Sequence, residues 1–163
     1  PPLEEADLKR RTIIGLYAAT LAGECLWLAA IIAAPYLRSR GSRWAPFLYA
    51  CFSPICHQKP ERSLWAFGYP LAVCARCSGI YLGALLGLLA YPFRRGFDGL
   101  RLPRLTTLAL VTAPIVFDAA GNILGLWNSG PALRLATGLA WGSILPFYFL
   151  TGVGELLSAG RKI

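Results

Sequence analysis

The chain predicts an all-α integral membrane protein with four transmembrane helices and an interfacial loop containing Cys and His residues between helices 1 and 2. Its 163 residues are 56% hydrophobic and only 15% charged, and its mean hydropathy is +0.52. Soluble domains carry about 25% charged residues. Four apolar stretches are each long enough to cross a hydrocarbon core, which takes about 20 residues of helix. Lipid leaves no solvent for unpaired backbone groups, so such stretches must be helices or closed barrel strands. The strict alternation of barrel strands is missing. Four sulfur or imidazole side chains also crowd a single 22-residue run, CHQKPERSLWAFGYPLAVCARC, at the mouth of an apolar segment.

The first span covers residues 12–37. It is too long for the core of a secretory signal and shows no cleavage pattern, so it reads as a membrane helix. A polar break over Ser39 to Pro46 ends it. The apolar run WAPFLYACFSPIC (residues 44–56) is too short to span and is expected in the interface or partly re-entrant. HQKPER follows as a polar knuckle in which Pro60 stops a continuous helix. Arg62 and Ser63 are read as capping a following helix, with phosphate binding as the alternative. The interfacial loop as a whole covers residues 38–70.

The second span covers residues 71–93, and a loop with Gly96, Gly99 and Pro103 as turn formers among arginines leads to the third, residues 105–127. Asn128-Ser129-Gly130-Pro131 closes a tight hairpin, with Ser129 as N-cap and Pro131 in the first turn. The fourth span covers residues 131–157. With no long linker or low-complexity segment, residues 1–163 form one domain.

Small residues set the packing. Gly79, Gly83 and Gly87 recur at every fourth position of the second span, and Gly138 and Gly142 repeat the spacing in the fourth. Glycine on one helix face admits a neighbouring backbone closely. The neighbour is either another helix of this chain or a larger membrane complex, since four helices bury few side chains among themselves.

The net charge of +8 comes from basic residues scattered in short loops among Trp and Tyr. That pattern fits anchoring in a lipid bilayer and not nucleic-acid binding. With the N-terminus inside, Lys9, Arg10, Arg11, Arg94, Arg95, Arg101, Arg104, Arg161 and Lys162 share one side, nine in all. Arg38, Arg40, Arg43, Lys59, Arg62, Arg76 and Arg134, seven in all, share the other. The positive-inside rule then puts both termini in the cytoplasm and the cysteine cluster outside.

Asp118 in the third span needs a partner, because a charge at the centre of a membrane helix costs at least ~2.5 kcal/mol. It lies about nine residues, roughly 14 Å, from the expected helix end, and Arg134 lies roughly 6 Å into the next helix. Side-chain reach nearly closes that difference, so Asp118 and Arg134 are expected to pair. Asn122, one turn on, completes the face. The pair reads as structural, or as part of a proton relay or headgroup site, and Glu24 in the first span is a weaker member of the same network.

The cysteine run supports two chemistries. Zinc takes tetrahedral sulfur and nitrogen ligands, and the Cys74–Cys77 CxxC turn presents two sulfurs to one ion, with Cys56 and His57 supplying the rest. Adjacent residues on a helix point about 100° apart, so joint ligation by Cys56 and His57 requires irregular backbone there. Cys51 is a reserve ligand and Cys25 is expected to pack. Alternatively, Cys74/Cys77 and Cys51/Cys56 form the two pairs of a quinone-coupled thiol-disulfide oxidoreductase, with Arg76 and a helix N-terminus lowering a thiolate pKa. Ser78 after the CxxC argues against a c-type haem.

The run LYACFSPICHQKPERSLWAFGYPLAVCARCSGIYLG resembles the signature of a bacterial family of predicted membrane proteins, domain of unknown function 2085. The later PIVFDAAGNILGLWNSGPALRLATGLAWG is similar to that family's second region. The resemblance runs from about Phe47 to Gly142. Its matching positions are Cys56, His57, Gln58, Arg62, Ser63, Cys74, Arg76, Cys77, Gly79, Asp118 and Arg134. It implies a small multi-span membrane protein and brings no established activity.

These features favour an interfacial zinc site over a polar pocket of Arg62, Arg76, Asp118, Asn122 and Arg134. The role expected is that of an accessory subunit, or of lipid or small-molecule handling, in a bacterial inner membrane. No hydrolase constellation or phosphate loop is visible.

Overall fold

The computed structural model describes residues 3–95 and 104–159. The expected turn formers Gly96, Gly99 and Pro103, with Arg101, Arg161 and Lys162, lie outside the described residues. Six helices and one short hairpin follow each other along them.

Helix α1, Leu3–Ser39, contains 37 residues, about 55 Å at 1.5 Å per residue, and so outruns a hydrocarbon core of about 30 Å. Its apolar stretch Arg10–Ser39 is the first candidate span. Helix α2, Ala45–Phe52, is the short apolar element after the break at Gly41, where φ is +64°. A 3-10 turn at Pro60–Arg62 leads into β1, Ser63–Ala66, which pairs antiparallel with β2, Tyr69–Cys74. Helices α3 (Ala75–Arg95) and α4 (Leu105–Ile123) supply the second and third candidate spans. Helices α5 (Pro131–Gly142) and α6 (Leu145–Ala159) together make the fourth.

The four membrane-length apolar segments are therefore present, with three boundaries moved. Residues 71–74, expected in the second span, belong to β2. Phe67 and Gly68 have φ of 54° and 80°, so a two-residue turn of the kind that matches strand twist closes the hairpin, and helix begins only after Cys74. The third helix stops at Ile123 instead of Trp127, where Gly125, at φ +71°, turns the chain. The fourth span is broken at Ser143–Ile144, and Pro146 fits the first turn of α6, where a missing N–H costs nothing.

Glycine decides how the helices meet. A Cβ on Gly79 would overlap the Leu135 carbonyl, one on Gly83 the Leu139 carbonyl, and one on Gly87 the Ser143 carbonyl. From the other side, a Cβ on Gly138 or Gly142 would overlap the Arg76 or Ile80 carbonyl. All five predicted glycines are spent on one seam between α3 and α5, so a partner would have to use a different face. Positions rise together along the two helices, which makes them parallel, with their N-termini at the same membrane face. The C-terminal ends of α1 and α4, helix α2 and the hairpin lie at that face too.

The core is in two parts. Near the hairpin, Ile31, Ala34, Phe52, Cys56, Ala72 and Val73 pack together. Toward the opposite face, Leu88, Tyr91 and Leu150 pack with Leu16, Tyr17, Leu21 and Phe147. Large apolar side chains such as Leu26, Leu110, Phe117 and Leu156 stay exposed, as expected of surfaces meeting lipid instead of water.

Candidate functional site

Three chain segments bring sulfur together. Cys56 ends the turn after α2, where its N–H donates to the Phe52 carbonyl at 3.1 Å. Cys74 is the last residue of β2, and Cys77 lies in the first turn of α3. Their Sγ atoms all lie within 4.8 Å of one another. Cys56 is 5% exposed and sits in the upper core. The Cys74 N–H donates to its sulfur at 3.1 Å, tying the end of β2 to the turn after α2. Hydrogen bonds from the Cys56 and Cys77 thiols hold the Cys74 thiol well below the usual thiol range.

His57 is not in this group. The Cys56 side chain turns into the core while His57 is exposed, and Gln58 adopts a left-handed φ of 49° as the chain reverses. Cys51, the reserve ligand and proposed redox partner, is exposed on α2 outside the triad. Cys25, expected to pack, is exposed on α1. The assembled set is thus Cys56, Cys74 and Cys77. Tetrahedral zinc with Zn–S of 2.3 Å places its sulfurs about 3.8 Å apart, so a modest contraction of this triad accommodates a soft divalent ion, with one coordination position left over.

Gln58, named in the sequence only as a position shared with the family signature, is a bracket. Its amide nitrogen donates to the Tyr49 carbonyl at 2.7 Å and to the Ala72 carbonyl at 2.8 Å, tying α2 to β2. Its place directly after Cys-His was the available signal. Ser63 caps no following helix, since β1 begins there; it closes the 3-10 turn before it, and its hydroxyl donates to the Lys59 carbonyl at 2.9 Å. Arg62 is half-buried beside it.

Below the sulfurs lies the polar network. Asp118 pairs with Arg76, not with Arg134. The reason is helix length: because α4 ends at Ile123, Asp118 is about 7.5 Å from its end and level with the first turn of α3, where Arg76 projects between the two cysteines of the CxxC. Ser129 donates to Asp118, so its hydroxyl is not an N-cap; Gly130 takes the N-cap position of α5. Asn122 donates to the Asp118 carboxylate at 3.1 Å and to the Ser129 hydroxyl at 2.8 Å. Arg134, 3% exposed, donates to the Ser129 carbonyl at 2.8 Å and to the Asn122 side-chain oxygen. It reaches Asp118 only through these intermediaries. Arg62 and Arg76 both lie within electrostatic range of Arg134. Glu24 stands apart from the network: its Oε1 is buried without a hydrogen-bond partner among the described residues.

Residues 56–148 match the family described as predicted membrane protein, DUF2085, a stretch that opens on Cys56 and contains the whole triad and the Asp118 network. The chain belongs to the DUF2085 family. An uncharacterized protein of Methanocaldococcus jannaschii is 38% identical over 147 residues, covering 86% of this chain and 94% of its own length. A second uncharacterized protein, from Methanothermobacter thermautotrophicus, is 40% identical over 91 residues, covering 56% of this chain and 80% of its own. Both relatives are archaeal, so a purely bacterial setting does not describe this DUF2085 protein's relatives. No solved structure is significantly similar.

Proposed function

We propose that this DUF2085 protein holds one zinc ion on Cys56, Cys74 and Cys77, and that the ion clamps the interfacial hairpin to the membrane helices. The observation that carries this reading is the convergence of three sulfurs from three separate segments to within 4.8 Å. A two-stranded hairpin is marginal by itself, and a tri-thiolate centre joins its last residue to α3 and to the α2 turn. The clamp then fixes Arg76, which sits between two ligands, against Asp118. In the cell the protein serves as an accessory subunit or in lipid or small-molecule handling, spanning a cytoplasmic-type membrane with both termini inside; the excess of basic residues on that side supports the orientation. The quinone-coupled thiol-disulfide alternative lacks its second pair in this geometry, because Cys51 is exposed and outside the triad.

The test is elemental analysis and thiol counting on purified protein. One zinc per chain is expected, with all five cysteines counted as reduced thiols once the protein is unfolded in a chelator, and replacing zinc by cobalt should give sulfur-to-metal charge-transfer absorption. Cys74→Ser or Cys77→Ser should abolish both signals, whereas His57→Ala and Cys51→Ser should keep them. Metal-free protein with a reducible Cys74–Cys77 disulfide would sink the clamp and revive the redox reading.

A further inference from the structure

We infer that Arg62, Arg76 and Arg134 form a binding site for a phosphate-class anion at the membrane face below the sulfur triad. This goes beyond the metal clamp and does not depend on it. Arg62 directly precedes Ser63, which pairs with Cys74, the residue before α3 and two before Arg76. Arg76 pairs with Asp118, and Asn122 and Ser129 join Asp118 to Arg134, so Asp118 is the carboxylate among three guanidinium groups. Two positive charges are therefore left over. A zinc ion on three thiolates, with a net charge of −1, would still leave one.

The donors are only partly used. Asp118 takes the terminal nitrogen of Arg76, while Arg76 Nε is buried with no hydrogen-bond partner. An orphaned charged donor of that kind costs more than an ordinary unmade hydrogen bond. Arg62 is half-buried, and its guanidinium has no hydrogen-bond or ion-pair partner among the described residues. Arg134, by contrast, is locked in place by Ser129 and Asn122, which makes it a fixed charge and not a swinging one.

The backbone adds to the field. Helices α3 and α5 run parallel, so both of their positive N-terminal ends open at this face, with Arg76 and Arg134 in their first turns. A phosphate group suits such a site because it accepts several charge-assisted hydrogen bonds from guanidinium forks at once. Arg62 is the guanidinium whose donors are unspent among the described residues.

Binding to the full chain in uncharged detergent tests this. Phosphatidylglycerol in mixed micelles, diacylglycerol as its uncharged counterpart, and inorganic phosphate are titrated separately, with thermal stability and calorimetry as readouts. The expected result is saturable binding of phosphatidylglycerol or of inorganic phosphate but not of diacylglycerol. Arg62→Gln should weaken it by about tenfold or more, while Arg43→Gln, an exposed arginine on a nearby loop, leaves it unchanged. Inorganic phosphate that binds and competes identifies a soluble ligand; phosphatidylglycerol binding that phosphate does not displace identifies a lipid headgroup. Because Arg62 has no side-chain partner to lose among the described residues, Arg62→Gln should melt like the parent when no ligand is present. The site is overturned if neither anion binds, or if Arg62→Gln binds as tightly as the parent.

Discussion

Arg76 joins the two halves of the site: it follows Cys74 by two residues, precedes Cys77 by one, and reaches across to Asp118 on α4. A double-mutant cycle between Arg76 and Asp118 should therefore show strong coupling, and one between Arg134 and Asp118 much less. Asp118→Ala leaves Arg76 without its counter-charge and should cost about 3 kcal/mol in a detergent-unfolding titration. Restoration of stability by exchanging the charges of Asp118 and Arg134 would contradict the observed pairing. At this scale the residue types were legible and their partners were not. The cost of a membrane-embedded Asp demands a cation, and the sequence pointed to Arg134 for it; with α4 ending at Ile123, Arg76 takes that place. His57 shows the same limit, since its neighbour Cys56 takes the inward direction and two adjacent side chains on this turn cannot both do so.

At the scale of elements, the seam between α3 and α5 tolerates no side chain at its glycines. Gly83→Leu should separate the helices and destabilise the protein by more than about 2 kcal/mol, as overpacking does, whereas Gly23→Ala on α1, where a Cβ meets open space, should be neutral or add about 0.5–1 kcal/mol. Thermal unfolding of both variants in the same detergent makes the comparison. In the hairpin, Gly68 at φ +80° should resist β-branched replacement: Gly68→Val is expected to cost about 1–2 kcal/mol and to lower zinc retention, because β2 delivers Cys74. The glycine spacing announced close helix contact in advance. It did not say which helices meet, because a small-residue face is equally suited to a neighbour in the chain and to one outside it. The hairpin itself escaped notice because Leu71-Ala72-Val73 is too short a run for periodicity to separate strand from the start of a membrane helix.

For the molecule as a whole, four passes put the start of α1 and the end of α6 on one side and the sulfur triad, the Arg76–Asp118 pair and the α5 N-terminus on the other. Exposed Cys51 is a natural reporter of that arrangement. In intact cells a membrane-impermeant maleimide should label Cys51 from outside, while Cys51→Ser loses the label. Labelling only after the membrane is opened would reverse the orientation. Removing the proposed zinc should leave the four spans in place and loosen the hairpin, seen as faster backbone hydrogen exchange over residues 63–74 with little change in α3 beyond its first turns.

By itself the sequence determined the solvent, the number of membrane-length helices, the reactive residues and the need for a cation near Asp118. Those follow from composition, run length and the energetic cost of particular groups in lipid, all of which are local properties. Tertiary structure alone decided that three sulfurs, and not His57, converge, that Arg76 takes Asp118, and that the glycines of α3 and α5 face each other. Each of these depends on where helices end and which way they run, and a Gly-containing turn at residues 67–68 or 125 shifts that by several ångströms without changing the hydrophobic pattern on either side.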